Sequence, residues 1–241
     1  MNSPFRKAKL QKMSSPAEIP RWKRVLDVVF ILLILPVVLP LAVLIAMLIR
    51  LVSSGPVLFR QERVGHMGRK FMCFKFRTMF VGAETTTHQG YLQHLMKSGA
   101  PMVKLDARGD SRIIPLGVLL RSSGLDELPQ LINVLRGEMS MVGPRPCLAY
   151  ECEDYLPWQW ERFNTLPGLT GLWQVSGKNQ TTFAEMMQLD ISYAREKTLW
   201  LDLVIILKTI PAILGQVWNA RKKKKALPLE ARAPRSYQSI H

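Results

Sequence analysis

The chain has 241 residues and a formal net charge of +15, but the charge is uneven. Residues 1–24 carry seven Lys/Arg and one Glu, residues 221–241 the same, and residues 25–220 only 19 basic against 16 acidic side chains. A nearly neutral body excludes the basic stripe expected of a nucleic-acid binder. The two basic tails suit an anionic membrane surface, at about 1 kcal/mol per Lys or Arg, or equally a solvated, disordered role.

The cysteines are Cys73, Cys147 and Cys152, with no CxxC, and the four histidines form no HExxH. Neither a disulfide framework nor a zinc site is indicated, and a reducing compartment is the default. The length suits one catalytic domain with appendages.

Residues 1–20 read as a basic tail and residues 21–50 as a membrane element. Val28 to Ile49 is apolar or proline throughout, long enough to span a bilayer as a helix. Pro36 and Pro40 each remove a backbone donor. Arg21, Lys23 and Arg24 flank one end; Arg50, Arg60, Arg63, Arg69 and Lys70 follow the other. Both flanks claim the cytoplasmic side. A helix that breaks at the prolines and returns satisfies both; an ordinary span satisfies one. The residues alone leave the two equally open.

Gly55 to Met79 predicts a β-hairpin, with strands Val57–Arg60 and Phe71–Phe76 and a turn at Gly65–Gly68. Lys75 and Arg77 close it, either as functional cations or as a solvated edge. Gly82 to Leu105 is ambiguous, with a short helix at Tyr91–Lys97; Asp106 to Arg121 reads as loop leading into a short helix. Leu148 to Phe163 is partly helical and Leu166 to Asn179 a structured glycine-rich loop. Thr182 to Lys197 has helical spacing. Trp200 to Trp218 reads as an interfacial helix or a buried core helix, kinked or broken at Pro211.

The central stretch is Ser122 to Pro146. Leu128, Leu131, Ile132 and Leu135 share one helix face, and Pro129 fits a first turn. The helix should begin near Leu125–Glu127, with Ser122, Ser123 or Asp126 as cap. Asp126 and Glu127 would then meet the positive end of its dipole. Ordinary first-turn acids are common and remain the simplest account of DELP alone. The membrane element, the nearby Arg112, Arg121 and Arg136, and Arg145 pinned between two prolines favour phosphate chemistry instead.

LDELPQLINVLRGEMSMVGPRP at 125–146 closely resembles the signature of the bacterial sugar transferase family, the monotopic phosphoglycosyl transferases. The resemblance extends through FRQERVG at 59–65, FKFRTM at 74–79, PGLTGLWQVSGKN at 167–179 and LWLDLVIILKT at 199–209. It implies the short form of the family: an α+β, mostly helical fold with a re-entrant helix broken at Leu39–Pro40, a small hairpin and amphipathic interfacial helices. These surround a cytoplasmic catalytic domain over 51–219, with a basic tail at 220–241. The implied reaction moves a sugar-1-phosphate from a UDP-sugar to undecaprenyl phosphate and releases UMP, starting exopolysaccharide, capsule or O-antigen assembly at the bacterial inner membrane. Homo-oligomerisation is left open.

Residue by residue, Asp126 would be the nucleophile and a Mg²⁺ ligand, and Glu127 would assist the acceptor. Lys75, Arg77, Arg121, Arg145, Lys178 and Asp190 would contact substrate or support the site, and Asp202 would anchor a helix or serve the site. The pattern departs from the family at Leu39, often Ser, at Leu166, often Arg, and at Lys178, elsewhere Arg. A non-catalytic membrane scaffold of the same fold is the alternative.

Overall fold

A computed structural model describes residues 18–82, 86–102, 110 and 112–226. Both basic tails lie largely outside this range, as do the turn signals expected at Arg108 and Gly109.

Helix α1, Arg21–Val52, is one 32-residue element with Pro36 and Pro40 inside it. The expected break at Leu39–Pro40 does not end the helix. Pro40 removes only the bond to the Pro36 carbonyl, a loss that long apolar helices tolerate. One stripe of α1 faces the body. Lys23, Asp27, Ile31, Ile45 and Ile49 are buried, and Ile34, Val38, Leu41 and Ala42 pack beside them. The opposite flank is bare: Leu33 is 73% and Val37 72% exposed. The helix is long and apolar enough to cross a bilayer, and an exposed apolar surface of this extent marks a membrane or protein contact.

The hairpin forms as expected, with longer strands. β1 is Leu58–Val64 and β2 is Lys70–Phe76, antiparallel, with Phe59 opposite Lys75. The chain reverses through a 3₁₀ turn, His66–Gly68. Helix α2 covers Thr86–Ser98, which includes the expected Tyr91–Lys97. Helix α3, Gly117–Ser123, ends at Gly124, whose φ of 73° only glycine adopts freely.

The central stretch departs from its predicted start. Leu125–Glu127 is a 3₁₀ turn, and α4 is the six residues Gln130–Leu135. Ser122 and Ser123 do not cap it; their hydroxyls donate backwards to the Leu119 carbonyl. So short a helix after a separate turn gives the dipole little to act with, because the dipole effect needs aligned peptides.

β3, Ser140–Val142, and β4, Gly168–Thr170, then pair in parallel. Between them lie α5, Ala149–Glu153, and a 3₁₀ helix, Pro157–Asn164. Helix α6, Leu172–Val175, follows β4. Helix α7, Phe183–Glu196, starts in a capping box: the Glu185 N–H donates to the Thr182 hydroxyl and the Glu185 carboxylate accepts from the Thr182 N–H. Helix α8, Leu199–Ala226, runs through Pro211 without ending. It buries Asp202 and Ile205 and leaves Trp200 and Trp218 exposed, so one flank is bound to the body and the other is apolar and open. The fold is therefore α+β and mostly helical.

A buried polar knot joins α1 to this body. Lys23 Nζ donates to the Val142 carbonyl at 2.8 Å, to Tyr193 Oη at 2.7 Å and to Asp202 Oδ2 at 2.6 Å. Asp27 Oδ1 accepts from Ser140 Oγ and the Met141 N–H. Arg24 donates to the Val134 and Leu135 carbonyls at the end of α4. At its other end α1 stops at Ser53, where buried Arg77 donates to the Ser53 hydroxyl and carbonyl. Both ends of α1 are thus seated on one body.

Candidate active site

Two turns carry the candidate chemistry. The first is Leu125–Glu127. Asp126 is 9% exposed. Glu127 is more open and forms an ion pair with Lys75, Nζ to Oε1 at 2.6 Å. The turn packs against β2, and Asn133 fixes the distance between α4 and that strand. Its side-chain oxygen accepts from the Phe74 N–H at 3.1 Å, and its amide nitrogen donates to the Met72 carbonyl at 2.7 Å and to Glu138 at 2.6 Å. Fully buried Asn133 thus extends the hydrogen bonding of β2 into α4. This brings Lys75 to Glu127. Arg121, one turn earlier, donates to Thr78 Oγ1 at 3.2 Å.

The second is the Gly143–Pro146 turn, directly after β3. Here three backbones meet. A Cβ on Gly168 would lie 2.0 Å from the Gly143 nitrogen, and one on Gly143 would lie 2.2 Å from the Leu166 oxygen. Real side chains cannot approach so closely, so the contact requires glycine. The Gly143 N–H donates to the Thr170 carbonyl and the Gly168 N–H to the Pro144 carbonyl. This is why GPRP and PGLTG occur together. Leu166, the departure from the family pattern, is buried beside this contact.

Buried charges hold the turn from outside. Arg63 donates to the Pro146 carbonyl at 3.0 Å. Arg162 donates to the Arg145 carbonyl at 2.8 Å, to Tyr155 Oη at 2.7 Å and to Asp190 Oδ2 at 2.6 Å. Burial pushes the Asp190 carboxyl up to about 6 against the opposing pull of Arg162. The Arg145 side chain, 25% exposed, meets fully buried Glu151 at 3.2 and 3.4 Å. Burial alone would raise the Glu151 carboxyl, but Arg145 and Arg63 together hold it below the usual carboxylate range.

Of the residues singled out from sequence, Lys75 and Glu127 are in contact. Arg121 sits at Thr78, two residues past β2, while Arg77 turns its two terminal nitrogens to Ser53. Asp190 stands behind the Arg145 turn, one side chain removed. Asp202 belongs to the knot around Lys23. Lys178 lies in its own 3₁₀ turn, Lys178–Gln180, with a φ of 35°; its carbonyl accepts from Thr181 Oγ1, which also accepts from the Trp173 indole. Sequence reasoning missed Asn133, Glu151 and Arg162. Arg162 alone gave a signal, as a lone cation within a run holding Trp158, Trp160 and Phe163.

A family model described as bacterial sugar transferase matches residues 19–216. The exopolysaccharide production protein ExoY of Sinorhizobium fredii is 38% identical over 191 residues, covering 79% of this chain and 84% of that protein. The UDP-glucose:undecaprenyl-phosphate glucose-1-phosphate transferase of Caulobacter vibrioides is 42% identical over 200 residues, covering 80% and 69%. The undecaprenyl-phosphate galactose phosphotransferase of Salmonella typhimurium is 35% identical over 192 residues, covering 80% of this chain but only 40% of the longer relative. A match across nearly the whole described body, including both turns, makes this chain a transferase that belongs to the bacterial sugar transferase family.

Proposed function

We propose that the protein transfers a sugar-1-phosphate from a UDP-sugar to undecaprenyl phosphate, through a covalent intermediate on Asp126, and so initiates exopolysaccharide, capsule or O-antigen assembly. The observation that carries this reading is the asymmetry of the adjacent acids. Asp126 is almost wholly enclosed, whereas Glu127 is open and paired with Lys75. Two carboxylates in different surroundings suit two different roles.

In the first half-reaction an Asp126 carboxylate oxygen attacks the β-phosphorus. A new O–P bond forms, the bond from that phosphorus to the bridging oxygen breaks, and UMP leaves with the electron pair. In the second, an oxygen of undecaprenyl phosphate attacks the same phosphorus and the Asp126–phosphorus bond breaks, restoring the carboxylate. Glu127 accepts any proton the acceptor phosphate carries, and Lys75 stabilises the charge gathered there. Arg145 grips phosphate oxygens, which its planar fork fits.

Among the described residues no three His, Cys, Asp or Glu side chains converge on one point. The Asp126 carboxylate suits Mg²⁺, which commonly binds through one or two carboxylates plus substrate phosphates rather than in an all-protein cage. Asp126 would hold it with the donor diphosphate, where it would offset negative charge.

The two seated ends of α1 support a re-entrant placement, with the body on the cytoplasmic face of the bacterial inner membrane. Cysteines placed at Glu18 and Ser54 should both be labelled from the cytoplasmic side; labelling from opposite sides would mean a span. For the reaction, the test is a panel of UDP-sugars with undecaprenyl phosphate. One donor should give UMP and a lipid-linked sugar diphosphate. A membrane scaffold would release no UMP from any donor.

A further inference from the structure

Arg145 is fixed at its backbone by two prolines and by the Arg162 bond to its carbonyl. That fixes where its side chain starts, not where it points. Direction comes from Glu151. Among the described residues the Arg145 side chain has hydrogen bonds only to Glu151, and both use Nη1. That leaves the Nε and Nη2 edge for another acceptor, on a side chain that is 25% exposed. Glu151 is buried in the first turn of α5, and its Oε1 also lies 4.0 Å from Arg63 Nη1.

The arrangement has an electrostatic logic. Burial, and after it repulsion from Arg145, lowers the Arg63 pKa. A buried carboxylate placed between them offsets that repulsion and keeps Arg145 from swinging into solvent. Arg162 adds a third guanidinium on the far side of the turn. Three arginines meet Glu151 and Asp190, so the cluster keeps a positive surplus for an anion.

We propose that Glu151 is a positioning residue: its carboxylate aims the Arg145 guanidinium so that the remaining edge takes two oxygens of one phosphate group. This rests on the reading of Arg145 as a phosphate contact. The phosphate could come from the nucleotide-sugar donor or from the lipid acceptor, and the two half-reactions separate them.

The test is a double-mutant cycle on the full chain in detergent or lipid nanodiscs, with Tm measured alongside. Glu151→Gln should lower kcat/KM by about 10–100-fold, the usual scale for loss of a supporting partner. If the donor phosphate is held, the loss appears in UMP release from donor alone. If the acceptor phosphate is held, UMP release is kept and KM for undecaprenyl phosphate rises. In the Arg145→Ala background, Glu151→Gln should cost no further activity, because there is nothing left to aim.

An equal cost in both backgrounds would mean that Glu151 supports the fold independently of Arg145, and would overturn the proposal. Wild-type kinetics for Glu151→Gln would also overturn it. Wild-type kinetics for Arg145→Ala would instead sink the phosphate-contact reading beneath it. Should Glu151→Gln fail to fold, Arg145→Lys decides. Lysine keeps the charge for Glu151 but offers no second edge. It should therefore be nearly as impaired as Arg145→Ala, and full activity would rule out an aimed fork.

Discussion

The Asp126 turn and the Arg145 turn are built in opposite ways. The first is a three-residue 3₁₀ turn after a left-handed glycine, steadied by the Lys75–Glu127 pair, whose side chains are part exposed. The second is locked by glycine backbone contacts and by Arg63, Arg162 and Glu151, all buried. On the proposed mechanism, the group that forms and breaks a bond sits on the lightly held turn, and the group that only grips is set in the rigid frame. Preorganised charge costs no reorganisation at the moment of reaction.

This contrast predicts that substitutions in the first turn cost activity and that those at the glycine backbone contacts of the second cost folding. Asp126→Asn should reduce turnover by at least about 10³-fold, on the scale of removing a nucleophile, with Tm nearly unchanged. Gly168→Ala should do the reverse. Its Cβ meets the Gly143 backbone, and the destabilisation should exceed about 4 kcal/mol, seen as loss of folded protein on expression.

Next in size is the knot at α1. Lys23→Met strands the buried Asp202 carboxylate and should cost about 3–5 kcal/mol; adding Asp202→Leu should recover part of it in thermal melts. Asn133→Ala orphans the Phe74 N–H and Met72 carbonyl and should cost about 2 kcal/mol or more. Because it also frees Lys75 from Glu127, its loss of kcat/KM should exceed that of the Lys23→Met/Asp202→Leu pair.

The smallest effect is a pH slope. The folded pKa of Asp190, about 6, lies above its ordinary value of 3.8. The folded state therefore holds this proton more tightly than the unfolded one, and stability from this group falls as pH rises from about 4 to about 6. Asp190→Asn should remove that slope, so its Tm deficit should shrink between those pH values. A constant deficit would mean Asp190 is ionised throughout.

The sequence made the local elements legible and left their joins hidden. The apolar run Val28–Ile49, the hairpin and the Thr182–Lys197 helix follow from period and composition. The DELP and GPRP stretches stood out because an acidic pair and a proline-bound arginine are uncommon neighbours. What could not be read was which side chains meet across the chain. Lys23 to Asp202 spans 179 positions and Asn133 to Phe74 spans 59, and no local pattern encodes such pairs. Glu151 lay unmarked in an acidic run, and Asp190, marked only by the family resemblance, gave no sign of Arg162 as its partner. The helix expected to begin near Leu125–Glu127 starts later for a local reason: Gly124 and Pro129 bound a 3₁₀ turn before α4 begins.

The most direct test of the lightly held turn is the intact mass of the protein after incubation with its UDP-sugar and no acceptor. The account predicts a gain equal to one sugar-phosphate, located on Asp126 by peptide mapping, discharged on adding undecaprenyl phosphate and absent from Asp126→Asn. Turnover with no adduct at any time, or an adduct that persists in Asp126→Asn, would contradict it.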